Sequence, residues 1–483
     1  MSNADASHFS QLEKLRGFDF WDRSLRAARH VVAPMVDQSE LAWRMLSRRH
    51  NAHLCYTPML HSSVFIRDLS YRKESLATCE GDRPLIVQFC GNNASTLVEA
   101  GLKCQHMCDA IDINLGCPQS IAKRGHYGAF LQDEWQLLKE IVSECHAKWS
   151  IPVTAKIRIF PSITKTVEYA LMLEEAGAQL LTVHGRTREQ KGPLTGLASW
   201  AHIQAVRQAV KIPVFANGNI QYLDDVRECM KATGVEGVMI AEGSLHNPAL
   251  FDGVNPFVWD IIEEYLELAT QYPCNLTFVR GHVFKMCIHA FDQYNSWRMK
   301  LGECKSLEAV KSVVNDFMGV LKADEQRYRD NPELFDFGSL KYPYWMCQPY
   351  VRPDPNAKTE EPSDAKRQKI LSDAQLKNGL PEALQRLSKK KLKKALQKPH
   401  KSMSNIETPG RGKFEMCVEC KSNARGLKCE RECCKVCCKR LAVELSSNCS
   451  AHNFYYNKST VRRKLEKVER DDNSVVGAMA SST

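Results

Sequence analysis

One cysteine stands between a glycine and a proline in the stretch "INLGCPQSIAKRG", just past an apolar run that ends at Asn114. A thiol placed this way can fill space, bind metal, attack an electrophile or give up a proton. No second ligand lies at CxxC spacing from Cys117, so a metal site fits poorly. A nucleophile would need a depressed pKa. An ordinary thiol, with a pKa of about 8.5, stays mostly protonated at pH 7 and can serve as an acid without tuning. Space-filling, the commonest fate of a lone cysteine, stays open beside these uses.

Other polar residues follow β-rich runs in the same manner. Pro34-Met35 end the first run, Gln88 the third, Asn114 and Cys117 the fourth, and Lys156 and Arg158 the fifth. The sixth ends in His184-Gly185-Arg186, the seventh in Asn217-Gly218-Asn219 and the eighth in Glu242-Gly243. Between the runs lie amphipathic stretches such as "DEWQLLKEIVSECHAKW" and "TVEYALMLEEAGA". This alternation predicts a (β/α)8 TIM barrel, with an open doubly wound sheet as the alternative. In a barrel the strand ends converge on one rim, where active sites lie.

The rim residues suggest a ligand with many hydrogen-bonding edges. The glycines of "NGNI" and "AEGSLHNP" suit a phosphate loop, or simply tight turns. Lys156 lies in an otherwise apolar run and needs a partner. An electron-rich ring that gains negative charge, as a reduced flavin does, is one such partner. Gln88 can bond a ring edge, Pro34-Met35 can cover a ring face, and His184 can donate to cofactor or substrate. Singly each has an ordinary core or turn role; their joint position carries the reading.

"APMVDQS", "QFCG", "INLGCPQ", "KIR", "VHGRTREQ" and "NGNI" occur in this order between residues 33 and 220, within a likeness that covers about residues 25–345. In this the chain resembles the flavin-dependent tRNA-dihydrouridine synthases, closest to the eukaryotic type acting on tRNA positions 16 and 17. The resemblance implies FMN, NADPH or NADH as electron donor, and uridine in tRNA as substrate. It implies FMN contacts from Gln88, Lys156, His184, Asn217, Gly218 and Asn219, and Cys117 as proton donor; Pro34, Met35, Val36, Ala241 and Glu242, at the same strand ends, are further candidate cofactor contacts. Asn114, Lys123, Arg124, Arg158, Arg186, Arg280 and Lys305 become candidate substrate or RNA contacts, with His126, His282 and Lys285 beside them. One departure is visible: the family's Gly-Arg pair after the eighth strand is replaced by Ala241-Glu242-Gly243, and Arg186 is a candidate to compensate. A flavoenzyme for a free pyrimidine and an inactive RNA-binding protein are the competing readings.

The charge is unevenly placed. The chain of 483 residues carries a net +10, yet residues 351–483 hold 29 Lys+Arg against 16 Asp+Glu. The rest is slightly acidic, so a near-neutral body carries a basic appendage suited to a polyanion. The sequence shows no membrane-spanning run, secretory leader or transit pattern, which predicts a cytoplasmic or nuclear protein, read as a monomer. In such a compartment the 20 cysteines are reduced thiols or metal ligands rather than disulfides. Cys417, Cys420, Cys429, Cys433, Cys434, Cys437, Cys438, Cys449 and His452 offer nine ligands where two zinc ions need eight. The expected order is an N-terminal extension (1–29), the barrel (30–252) and a helical tRNA-binding domain (253–348). A linker with a basic helix (349–412), the two-zinc module (413–455) and a charged helix with a tail (456–483) follow.

Overall fold

The computed structural model describes residues 14–351, 415–420, 425–426 and 429–452. The chain divides into two compact units, residues 1–357 and 358–483. The expected basic helix and the charged C-terminal helix lie outside the described residues. Among the described residues no helix is long and apolar enough to cross a membrane.

Eight parallel strands form the centre of the first unit: β1 (His30–Val32), β2 (Leu54–Tyr56), β3 (Leu85–Cys90), β4 (Ala110–Leu115), β5 (Val153–Arg158), β6 (Leu181–His184), β7 (Val214–Asn217) and β8 (Gly237–Ile240). Each pairs with the next, and β8 pairs back onto β1, so the sheet closes into a barrel. A further extended pair, Leu60–His61, lies against the end of β3. The barrel agrees with the expected fold class.

Alternation along each strand divides its side chains between two environments. Ile111, Ile113 and Leu115 of β4, with Val153, Ala155 and Ile157 of β5, belong to the core packed under the surrounding helices. Ala110, Ile86, Leu54, Val31, Phe215 and Met239 form a separate apolar cluster inside the barrel. Phe20 and Leu25 join that inner cluster, both fully buried. Residues 17–25 therefore complete the barrel core rather than forming an appended extension, because the barrel interior needs apolar side chains at its N-terminal end.

Helices Val258–Gln271, Leu276–Met286, Ile288–Gln293, Asn295–Glu303 and Leu307–Asp330 follow the barrel. They share one core with Ala42, Trp43 and Leu46 of the barrel helix Leu41–Arg49. At this junction Glu40 is buried, accepting from Tyr265 Oη at 2.9 Å and facing His282 Nε2 at 3.0 Å. The His282 ring also stacks on Trp43 at 3.9 Å. His282 is thus a core residue joining the two regions and not an RNA contact. Burial pushes the Glu40 pKa up, but the His282 charge and the hydrogen bonds from His282, the Glu40 backbone and Tyr265 outweigh it and hold the carboxyl below its ordinary range. Its contribution to stability is therefore full above the ordinary carboxylate pKa and is lost as pH falls through the depressed one. His282→Ala leaves that charge buried and should cost about 3–5 kcal/mol, read from urea denaturation at pH 7.

Candidate active site

The inward face of the barrel changes from apolar to polar toward the C-terminal rim. Asp112 accepts from Thr154 Oγ1 at 2.6 Å and from Gln88 Nε2 at 2.8 Å. Gln88 Oε1 accepts from Asn114 Nδ2 at 2.8 Å, and Asn114 Oδ1 accepts from the backbone N–H groups of Gly116 at 3.2 Å and Cys117 at 2.9 Å. A chain of hydrogen bonds thus runs from inside the barrel to the Cys117 turn. Gln88 does not end its strand as the sequence suggested: β3 continues to Cys90, and Gln88 is fully buried beneath the rim. One Nε2 hydrogen remains beyond its two bonds in this chain.

The Cys117 turn is packed tightly. Gly128 has φ +66°, and a Cβ there would meet the Cys117 carbonyl oxygen at 2.9 Å and its Cβ at 3.0 Å. Glycine satisfies both demands. Cys117 itself is half-buried beside Met59, Cys90, Tyr127 and Phe130. Arg158, expected at a substrate, instead donates to the carbonyls of Gly116, Thr187 and Gln190 at 2.8–3.1 Å. It fastens the Cys117 turn to the loop after β6. Lys191 Nζ adds a bond to the Pro118 carbonyl at 2.7 Å.

Lys156 and His184 stand on neighbouring strands. Lys156 Nζ donates to Asn217 Oδ1 at 2.9 Å, and Asn217 Nδ2 donates to the Met239 carbonyl at 2.8 Å. Burial and then the Arg158 charge lower the Lys156 pKa to about 8, against the pull of Asp112 and Cys117, so the lysine stays mostly charged at pH 7. Arg186 Nη1 lies 3.1 Å from His184 Nε2. A guanidinium only donates, so Nε2 accepts and the ring proton is on Nδ1. Burial, followed by the charges of Lys156, Arg158 and Arg186, holds His184 well below its ordinary pKa. The ring is neutral at physiological pH.

A cavity of about 400 Å³ opens beside these groups, lined by His184, Arg186, residues 217–221 and residues 239–243. Its loops are drawn close together. Gly218 has φ +119°, and a Cβ there would lie 2.6 Å from Ala198 Cβ and 3.3 Å from Arg186 Nη1. Arg186 Nη2 donates to Asn219 Oδ1 at 3.0 Å, and Asn219 also accepts from the Ala198 N–H. Ala241 is half-buried in the lining, and Glu242 is exposed at its lip. A Lys, an Arg, a neutral His donor and glycine-shaped backbone fit a phosphate-bearing cofactor with a polar ring.

Not every expected residue converges here. Val36 is 56% exposed and lines a different cavity, of about 450 Å³, with Glu40, Tyr71 and Phe278. Met35 is half-buried and packs against the outer, inner and helical cores. Pro34, beside it, is also half-buried. Lys123 and Arg124 are exposed on the short helix Ser120–Gly125 beyond Cys117, where His126 pairs with Glu134 at 2.8 Å. Lys305 is exposed, and Lys285 is half-buried. Arg280 Nη1 donates to the carbonyls of Gly302 and Cys304 and so joins two helices. Sequence reading missed Asp112 and Thr154, hidden in apolar runs. It also placed Pro349 and Tyr350 in a linker, yet both line the cavity, with His289 Nε2 2.9 Å from the Pro349 carbonyl. The aromatic density of "KYPYWMCQPY" was the available signal.

In the second unit the cysteines form two sets, each with ligand atoms within 4.8 Å of one another. Cys417, Cys420, Cys434 and Cys437 make one; Cys429, Cys438, Cys449 and His452 make the other. Cys420 and Cys434 sulfurs are 3.9 Å apart, Cys429 and Cys438 sulfurs 3.5 Å, and Cys449 Sγ lies 3.5 Å from His452 Nδ1. Cys433 is buried but belongs to neither set, so the ninth ligand drops out.

Comparisons with known proteins agree with this architecture. The chain is 51% identical over 458 residues to the NAD(P)(+)-type tRNA-dihydrouridine(16/17) synthase-like protein of Mus musculus, covering 94% of this chain and 93% of that one. It is 51% identical over 446 residues to the protein of the same description from Rattus norvegicus, covering 92% and 99%. It is 42% identical over 367 residues to the NAD(P)(+)-type tRNA-dihydrouridine(16/17) synthase of Schizosaccharomyces pombe, covering 71% and 92%. The family model for dihydrouridine synthase matches residues 31–333, the barrel together with most of the helical region, and the chain belongs to that family.

Proposed function

We propose that this chain reduces uridines at positions 16 and 17 of tRNA to dihydrouridine, using FMN and a reduced nicotinamide, NADPH or NADH. The convergence of the Cys117 turn, Lys156 and the His184–Asn217 cavity on one barrel rim carries the reading. The relatives' shared description supports the positions. Residues 217–221 and 241–243, with Arg186, would hold the FMN phosphate, and Lys156, His184 and Gln88 the ring. When bound and reduced, FMN supplies the hydride for C6 of the uracil.

The chain's own residues do the rest. Lys156 places positive charge at the ring. His184, neutral with its proton on Nδ1, offers a hydrogen bond without adding charge. Cys117 delivers the proton to C5 from the opposite face of the base. Lys123 and Arg124 hold RNA phosphates near the site, and Lys305 adds a contact from the helical region. A uridine in a loop is more readily unstacked than one in a duplex.

The two sets of the second unit would each hold one zinc ion. A tetrahedral site with Zn–S near 2.3 Å would set its sulfurs roughly 3.8 Å apart, close to the 3.9 Å between Cys420 and Cys434 and the 3.5 Å between Cys429 and Cys438. The nitrogen ligand would be His452 Nδ1, since Nε2 lies against Gly426, where a Cβ would meet it at 2.5 Å. With its basic flanks the module adds a salt-sensitive grip on tRNA. The enzyme works in the cytoplasm or nucleus.

Cys117→Ala should keep FMN and its reduction by nicotinamide but lower uridine reduction by about 10²–10⁴-fold; equal turnover on tRNA lacking dihydrouridine would refute the acid role. Elemental analysis should find two zinc ions per chain, kept by Cys433→Ser and reduced by Cys434→Ser. Truncation after Val351 should weaken tRNA binding and flatten its salt dependence, measured by filter binding, while nicotinamide oxidation persists.

A further inference from the structure

Asp112 has no exposed surface, and nothing above assigns it a task in catalysis. A carboxylate inside a barrel is costly unless its hydrogen bonds matter. Its bonds impose a direction. A carboxylate only accepts, so it requires the Gln88 amide to present Nε2 to it, at 2.8 Å. Gln88 Oε1 then faces the rim and accepts from Asn114 Nδ2 at 2.8 Å. Asn114 Oδ1 is left to receive the Gly116 and Cys117 N–H groups. Those N–H groups only donate, so both ends of the chain demand the same polarity. Turning either amide would set donor against donor and leave a buried group unpaired, at about 1–3 kcal/mol.

We propose that Asp112 is a positioning residue for the Cys117 turn, acting through the fixed orientations of Gln88 and Asn114. Thr154 completes its shell from β5, and Lys156 and Tyr56 are the titratable groups that interact with it. Burial raises the Asp112 pKa to about 6, while Thr154, Gln88 and Lys156 restrain it. Asp112 is therefore mostly ionised at pH 7 and becomes protonated as pH falls through 6, when the chain loses its anchor. The inference rests on Cys117 being the acid.

The test uses full-length, FMN-loaded enzyme and tRNA lacking dihydrouridine. In Asp112→Asn, uridine reduction at saturating tRNA should fall about tenfold or more. KM for tRNA, FMN content and flavin reduction by NADPH should stay within about twofold. The wild-type rate should fall as pH drops through about 6, and the variant's profile should be flat there. Thr154→Val, which keeps the Gln88 link, should lose less. A wild-type rate in Asp112→Asn overturns the proposal. So does a matching loss of FMN and flavin reduction, which marks a scaffold role alone. Alkylation of Cys117 by iodoacetamide without tRNA, followed by peptide mass spectrometry, separates the two assignments. A changed rate in Asp112→Asn is expected and an unchanged one overturns positioning, whereas turnover by Cys117→Ala overturns only the acid assignment.

Discussion

The two-residue alternation along Ala110–Leu115 is the constraint on which the site depends. Ile111, Ile113 and Leu115 anchor the strand in the core beneath the helices. Ala110, Asp112 and Asn114 therefore face the interior, in apolar, ionisable and amide order toward the rim. A slip of one residue would exchange the two faces completely. With the register fixed, Asp112 lies beside Gln88 and Thr154, and Asn114 lies beside Lys156. The glycine and cysteine that follow are then held by the last side chain of the strand.

Positive charge gathers at one part of the rim. Lys156, Arg158 and Arg186 cluster around His184, and burial, reinforced by their charges, keeps its ring neutral. Arg158 directs its charge into three carbonyls and acts as a fastener. Lys156 and Arg186 remain close to the cavity, where an anionic cofactor would gain from both. Glu242 stands exposed at the lip, while Arg186 lines the cavity from the loop after β6.

The eight β-rich runs, their polar ends and the cysteine module were legible because periodicity and ligand spacing are local properties. The interior chain was not. Asp112 lies within an apolar run, and its partners Gln88 and Thr154 stand 24 and 42 residues away. Only barrel closure brings them together. Arg158, Arg280 and His282 carry the polar chemistry of binding residues, yet folding directs them into carbonyls or against Glu40. Sequence cannot separate these outcomes, because each depends on which distant groups need satisfying. The module shows the same limit: spacing identified nine ligands, and only the fold sorts eight of them into two sets and leaves Cys433 out.

Cys437 and Cys438 are neighbours on the helix Lys435–Glu444 but belong to different ligand sets. Adjacent helical residues project about 100° apart, so one turn of backbone serves as a shared wall. The two sets therefore constrain the length of the sequence between them. Substitutions can accumulate at the exposed Lys435, but an insertion or deletion between Cys434 and Cys438 would rotate one set away from its remaining ligands. In a lineage, this short segment should tolerate changes of letter and reject changes of length.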